Sequence, residues 1–158
     1  MALLEKKVNA IARSLLANDT TDRNYALSEL RALMQERPKK YENVEDAARA
    51  ALLELGVPDK LTGYPQLVSV ISIVVKDPGR LNPLQKGLYT EVAENHGTAA
   101  SRVERNMRHA IETGWDRIEI EAMRAYFGST VSPLKGQPTT GEFIARVANV
   151  VRKRMEAA

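Results

Sequence analysis

Between residues 97 and 115 the chain reads Gly-Thr-Ala-Ala-Ser-Arg-Val-Glu-Arg-Asn-Met-Arg-His-Ala-Ile-Glu-Thr-Gly-Trp, and no other stretch limits the possible fold as much. At about 100° per residue, Ala100, Val103, Met107, Ala110, Ile111 and Gly114 fall in one narrow arc. Ser101, Arg102, Glu104, Arg105, Arg108, His109 and Glu112 occupy the opposite side. One face is built to pack, the other to hydrogen-bond. Just before it, residues 85–94 carry Leu88 and Val92 at helical spacing, and Asn95-His96-Gly97 breaks that helix, with Gly97 suited to a left-handed closing turn. Thr98 is expected to cap the following helix by accepting from a free backbone N–H. Ala93, Gly97 and Val103 stand where a helix-turn-helix needs a small residue, a turn glycine and an apolar anchor. The spacing therefore predicts a helix-turn-helix at about 85–115, with residues 98–115 as the helix that enters the major groove of DNA. Two helices of an ordinary bundle account for the same pattern equally well.

Composition narrows the remaining classes. A chain of 158 residues has room for one ordinary domain, or a small domain plus an appendage. Hydrophobic residues at 44% and charged residues at 27% are those of a globular chain rather than a disordered or membrane one. The longest apolar run, residues 67–75, is interrupted by serines and too short to span a bilayer. Glu5, Lys6 and Lys7 follow directly on Met-Ala-Leu-Leu, so no export signal is expected and the predicted compartment is the cytoplasm. The chain has no cysteine, which removes disulfides, thiolate metal sites and a cysteine nucleophile. His96 and His109 lack a nearby carboxylate cluster and read as surface histidines, so no metal is expected. The formal charge is +3, and residues 1–46 hold 8 Lys and Arg against 8 Asp and Glu. Any polyanion partner therefore belongs to the later part of the chain.

In chain order, Leu4, Val8, Ile11, Ala12 and Leu15 form an apolar stripe over residues 2–17, opposed by Lys6, Lys7, Asn9 and Arg13. After a polar break at 18–22, Ala26, Leu27, Leu30, Leu33 and Met34 mark a second helix that stops near Arg37-Pro38. These make a helical hairpin, assigned to residues 1–42 and too small to bury a core alone. It packs either on residues 43–158 or on a second copy as a homodimer; the pattern does not separate the two. Asn43 is the expected cap of a helix over 44–55, closed by Gly56 and Pro58. Val68, Val70, Ile71, Ile73, Val74 and Val75 are β-branched, yet Pro65 sits where a helix likes its first residue and no partner strand is evident, so a buried helix is expected. Asp77-Pro78-Gly79 ends it and Asn82-Pro83 opens the first helix of the helix-turn-helix. A helix over 119–127 stops at Gly128, and residues 129–138 form a loop carrying Lys135. Thr139 and Glu142 have capping-box spacing, and Phe143, Ile144, Val147, Val150, Val151 and Met155 give the last helix its buried face. Arg146, Arg152, Lys153 and Arg154 there either touch phosphates or complement the helix dipole. The fold class expected is all-α. No phosphate loop, nucleophilic triad or paired-carboxylate motif stands out, so neither an enzyme nor a cofactor is expected.

From about Val44 onward the chain resembles the DNA-binding effector domain of the stage-zero sporulation protein A family of endospore-forming bacteria. The resemblance lies in Leu55-Gly56-Val57-Pro58, Gly63-Tyr64, Leu88-Tyr89, Ala100-Ser101-Arg102-Val103-Glu104-Arg105, Arg108-His109-Ala110-Ile111-Glu112, Trp115, Phe127-Gly128, Thr130-Val131-Ser132, Pro138-Thr139 and Glu142-Phe143-Ile144-Ala145. It implies an all-helical domain with a helix-turn-helix that binds double-stranded DNA and regulates transcription. Arg102, Glu104 and Arg105 match the family's base-reading positions, with Ser101, Arg108 and His109 as supporting contacts and Thr98 and Lys135 as phosphate contacts. Arginine bonds bidentately to guanine and glutamate accepts from the cytosine amino group, so these types suit a site with G·C pairs. An intrahelical ion pair from Glu104 to Arg108 is the competing role for both. The resemblance further implies contact with the RNA polymerase sigma subunit through residues 118–131, here Ile118, Glu121, Ala122, Arg124, Phe127 and Val131. The family places a phosphoacceptor receiver domain before the effector, whereas about forty-five helical residues precede it here, so phosphorylation control is not implied. Asn106 and Gly114 stand at apolar family positions, and Gly114 is expected to weaken the recognition helix by about 1 kcal/mol relative to alanine. The alternative reading is a protein-interaction module acting on RNA polymerase or a sporulation regulator without specific DNA binding.

Overall fold

The computed structural model describes residues 2–16, 20–35, 40–82, 87–128 and 136–156. Among them are eight α-helices, one 3-10 turn and no strand, so the all-α expectation holds. The chain divides into two compact units, Met1–Lys39 and Lys40–Ala158.

The first unit is the helix pair α1 (Ala2–Leu16) and α2 (Thr20–Gln35), which pack on each other. Ala17, Arg37 and Pro38, expected at the helix ends, lie outside the described residues. The predicted apolar stripe of α1 is buried at Ile11, which like Ala26 of α2 is shielded, whereas Val8 and Leu15 are exposed.

In the second unit, α3 (Val44–Glu54) starts as expected, with the Asn43 side chain accepting from the Asp46 N–H at 2.8 Å. Its end is a double turn: Gly56, at φ 76°, donates to the Leu53 carbonyl, and Val57 donates to that of Leu52 at 3.0 Å. The β-branched segment is the helix α4 (Gly63–Lys76). It packs against α3, α5 (Leu88–Asn95), α6 (Ala100–Trp115) and α8 (Thr140–Glu156). Burial against several helices decides its conformation, since Leu67, Val68, Val70, Ile71 and Val74 share one broad side of a helix and would be split between the two faces of a strand. Pro65 falls in the first turn, two residues after Gly63, where a missing N–H costs nothing. The buried Ser72 hydroxyl is satisfied by donating to the Val68 carbonyl at 2.7 Å.

A 3-10 turn, Pro78–Leu81, follows. Asn82, expected to open the next helix, closes this turn instead, its N–H donating to the Gly79 carbonyl at 3.0 Å. The helix begins at Leu88, after Gly87 at φ 114°, while Pro83 and Gln85 lie outside the described residues. Helix α7 (Ile120–Phe127) ends at Gly128, at φ 62°. The capping box of α8 is reciprocal: the Thr139 N–H donates to Glu142 Oε2 at 3.1 Å and the Glu142 N–H donates to Thr139 Oγ1 at 3.2 Å.

Two of the basic residues of α8, Arg152 and Arg154, are turned inward, while Arg146 and Lys153 are exposed. Arg152 donates to the Val74 and Val75 carbonyls, both at 3.3 Å, and so satisfies acceptors left open at the end of α4. Arg154 holds Glu54 through both terminal nitrogens, at 3.0 and 2.8 Å, and lies over the Tyr126 ring. Tyr126 donates to the same carboxylate at 2.6 Å. Burial raises the Tyr126 pKa well above its ordinary value, and the bond to Glu54 adds to the shift. One three-residue cluster thus ties α3, α7 and α8 together.

Candidate nucleic-acid interface

Helix α6 carries its two faces as its wheel requires. Val103, Met107, Ala110, Ile111 and Gly114 are buried, while Ser101, Arg102, Glu104, Arg105, Arg108 and His109 are exposed. The buried side is clamped by contacts that admit no side chain. A Cβ at Gly63, the first residue of α4, would stand 2.1 Å from the Asn106 carbonyl oxygen. Helix α4 therefore meets the middle of α6 backbone to backbone, at Asn106 and Met107. A Cβ at Gly114 would lie 2.7 Å from Val57 Cγ2 and 3.3 Å from the Leu55 carbonyl oxygen. The glycine expected to weaken this helix is what lets its end close on the turn after α3.

The helix-turn-helix joint departs from the predicted cap. The Gly97 N–H donates to the Glu94 carbonyl at 3.3 Å and the Thr98 N–H to that of Ala93 at 2.9 Å, with Gly97 at φ 63°. These two bonds close α5 and commit the Thr98 backbone to the preceding helix. Helix α6 accordingly runs Ala100–Trp115 rather than from residue 98, with Ala99 at the cap position and no capping side chain. Ala93 is buried and Val103 fully so, filling the small-residue and anchor positions between the two helices. The turn is also tied to α4: Ser69 Oγ donates to the Pro65 carbonyl at 3.1 Å, leaving its oxygen to accept from His96 Nε2–H at 2.9 Å. His96, a surface histidine by its sequence context, is thus a turn anchor.

On the outer face Glu104 and Arg108 form the anticipated ion pair, at 2.8 Å with both side chains about half exposed. An open cleft of about 390 Å³ beside them is lined by Tyr89, Glu104, Arg108, Pro138, Thr139 and Gly141. The start of α8 therefore borders the outer face of α6, a neighbour that helical periodicity within α6 has no means of revealing. Burial, and secondarily the Glu104 charge, raises the pKa of Tyr89. Lys135 lies outside the described residues.

The segment expected to face the sigma subunit is divided. Glu121 and Arg124 are exposed, Ile118 and Ala122 are partly buried, and Val131 lies outside the described residues. Phe127 is core, not surface: it is 2% exposed, with its ring edge-on to Trp115 at 5.3 Å and near Phe143 at 5.9 Å. Tyr126 and Met123 are buried beside it, and Ile120 is the exposed large apolar residue of α7.

Among the described residues no group of three or more His, Cys, Asp or Glu could hold a metal ion, and no helix is long and apolar enough to cross a membrane. Residues 48–151 match the family model described as Sporulation initiation factor Spo0A C terminal. The match covers α4 through α7 whole and most of α3 and α8, with the clamped helix-turn-helix at its centre. The chain therefore belongs to the Spo0A C-terminal family, a non-catalytic, DNA-binding effector domain of sporulation response regulators.

Proposed function

We propose that this chain is a sequence-specific transcriptional regulator that inserts α6 into the major groove of double-stranded DNA. The observation that carries the reading is the pairing of a rigidly backed helix with an exposed row of Ser101, Arg102, Glu104, Arg105, Arg108 and His109. Arg102, Glu104 and Arg105 read base edges, and Ser101, Arg108 and His109 support them. The side-chain-free start of α6, with Thr98 beside it, receives a backbone phosphate, and Lys135 supplies another contact. Activation proceeds through the polymerase sigma subunit, met by Ile118, Glu121, Ala122 and Arg124 with Ile120 as the apolar contact. The protein works in the cytoplasm and pairs with a second copy through its N-terminal helices.

Fluorescence-anisotropy titration tests this at one fixed salt concentration, because phosphate contacts make every affinity salt-dependent. A duplex with a TGTCGAA-type core should bind about a hundredfold or more tighter than a scrambled duplex. Arg105→Ala should cost about 1–3 kcal/mol on the core duplex and little on the scrambled one. Equal binding of both duplexes, unaffected by Arg105→Ala, refutes base reading and points to a protein-interaction module.

A further inference from the structure

The cleft beside Glu104 and Arg108 holds a donor that the outer face of α6 does not account for. Tyr89, the second residue of α5, lines it, and its ring packs against the core. Among the described residues the Tyr89 hydroxyl has no hydrogen-bond partner. Its raised pKa keeps it protonated, and so able to donate, well beyond neutral pH. The other polar groups around it suit an anion. Arg108, Gln137 and Thr140 all have N–H or O–H groups to offer, and Glu104, the one acid of the lining, already accepts from Arg108 at 2.8 Å. With one cation and one acid, the lining has no net charge with which to collect a free ion from solution. An anion carried in by a larger bound molecule needs no such attraction.

We propose that Tyr89 donates its hydroxyl to a DNA backbone phosphate seated in this cleft. In helix-turn-helix complexes the first helix lies across the sugar–phosphate backbone while the second enters the groove. Helix α5 is that first helix, Tyr89 stands in its first turn, and the cleft joins it to the side of α6 that carries Glu104 and Arg108. The phosphate that walls the groove next to those two residues is therefore the anion within reach. The contact rests on the DNA-binding reading and adds to it a residue outside α6. It also has a signature of its own. A phosphate contact carries no sequence information, so it strengthens binding to every duplex alike. A neutral donor releases no counterion, so the dependence of affinity on salt stays as it is without the hydroxyl.

The test is Tyr89→Phe in the full chain, which keeps the ring and removes only the oxygen. Tyr64→Phe is the control, since that hydroxyl donates to the Arg49 carbonyl of α3 at 3.5 Å. Both variants and the wild type are titrated by fluorescence anisotropy against the core and scrambled duplexes over a range of salt, and unfolded in urea. Tyr89→Phe should unfold at the wild-type urea concentration, bind both duplexes about fivefold more weakly and keep the wild-type salt slope, while Tyr64→Phe binds as the wild type does. Replacing the phosphates beside the core one at a time by methylphosphonate should reveal one position that weakens the wild type and barely affects Tyr89→Phe. Unchanged binding in Tyr89→Phe, a loss confined to one duplex, a lowered urea midpoint, or a loss that no methylphosphonate position absorbs overturns the contact. If Tyr89→Phe loses affinity for both duplexes but the wild type prefers neither, the contact stands and base reading falls alone. If the wild type prefers the core and Tyr89→Phe binds it equally well, the contact falls alone.

Discussion

Replacing Gly63 with alanine puts one methyl group where the structure has no space for it. The new Cβ would stand 2.1 Å from the Asn106 carbonyl oxygen, 2.5 Å from its carbon and 3.0 Å from the Met107 nitrogen. The closest of these falls more than an ångström short of ordinary contact. All three are backbone atoms inside a helix, so no rotamer change relieves the overlap and α4 must withdraw from α6. It cannot withdraw freely, because α3, α5 and α8 hold it on its other sides. Added methyl groups in packed cores cost about 1–3 kcal/mol when side chains absorb them, so a backbone clash belongs at about 3 kcal/mol or beyond. Alanine returns at most about 1 kcal/mol through helix propensity, which leaves a net loss of about 2 kcal/mol or more. That is a large share of a typical total of 5–15 kcal/mol. Urea denaturation followed by circular dichroism measures it, with Gly141→Ala as the control. Gly141 sits in the first turn of α8 with nothing within 4 Å of its would-be Cβ, so that variant should be neutral or slightly more stable. A change below about 1 kcal/mol in Gly63→Ala would refute the idea that close backbone approach sets the position of the recognition helix.

Two further substitutions separate effects that propensity rules confuse. Gly114→Ala gains about 1 kcal/mol in helix propensity but drives a Cβ to 2.7 Å from the buried Val57 side chain and 3.3 Å from the Leu55 carbonyl, so a net loss of about 1 kcal/mol is expected in the same titration and a gain would contradict the packing account. Tyr126→Phe removes a hydrogen bond to Glu54 and should cost about 1 kcal/mol near neutral pH. The Tyr126 pKa is raised in the folded state, so its contribution is fully present below the ordinary tyrosine value and is lost as pH climbs through the folded one. Between about pH 9 and 11 the wild type should therefore lose stability more steeply than Tyr126→Phe, with a residual slope from Tyr64 and Tyr89, whose pKa values are raised too. Parallel pH profiles would show that the hydroxyl does not titrate with folding.

How much can be read in advance depends on the range of each interaction. Asn43, Gly56, Gly97 and the Thr139–Glu142 box act within one turn, and each signal is complete within a few residues of sequence. The faces of α6 are equally legible, because periodicity is local. Thr98 departs from its expected capping role because the closing turn of α5 runs through its N–H and α6 starts only at Ala100, which puts Ala99 at the cap position and Thr98 one residue before it. Periodicity alone leaves α4 undecided, since its β-branched run suits either conformation until its neighbours are known. Phe127 misleads because an aromatic at the end of a surface helix looks available, and only Trp115 and Phe143, far from it in the chain, reveal that it is core. Arg152, Arg154 and His96 carry the same lesson, since each finds its partner on another helix. Gly63 is not legible in this way, since Pro65 reads as the first residue of the helix and the contact that demands a glycine is with α6.

The Glu104–Arg108 pair bears on whether those residues can read DNA at all. If the pair were strong, binding would have to break it first and Glu104 would be better regarded as part of the helix than as a base contact. Magnitudes decide against that. The two side chains are 50% and 54% exposed, and exposed i,i+4 pairs contribute about 0.3–0.5 kcal/mol. A well-formed base contact is worth about 1–3 kcal/mol of discrimination, several times the pair it displaces. A pair of that strength does not prevent either side chain from turning to a base in the proposed DNA complex. It weakens with added salt, as phosphate binding also does, so the base preference at matched salt and not the affinity alone reports on Glu104.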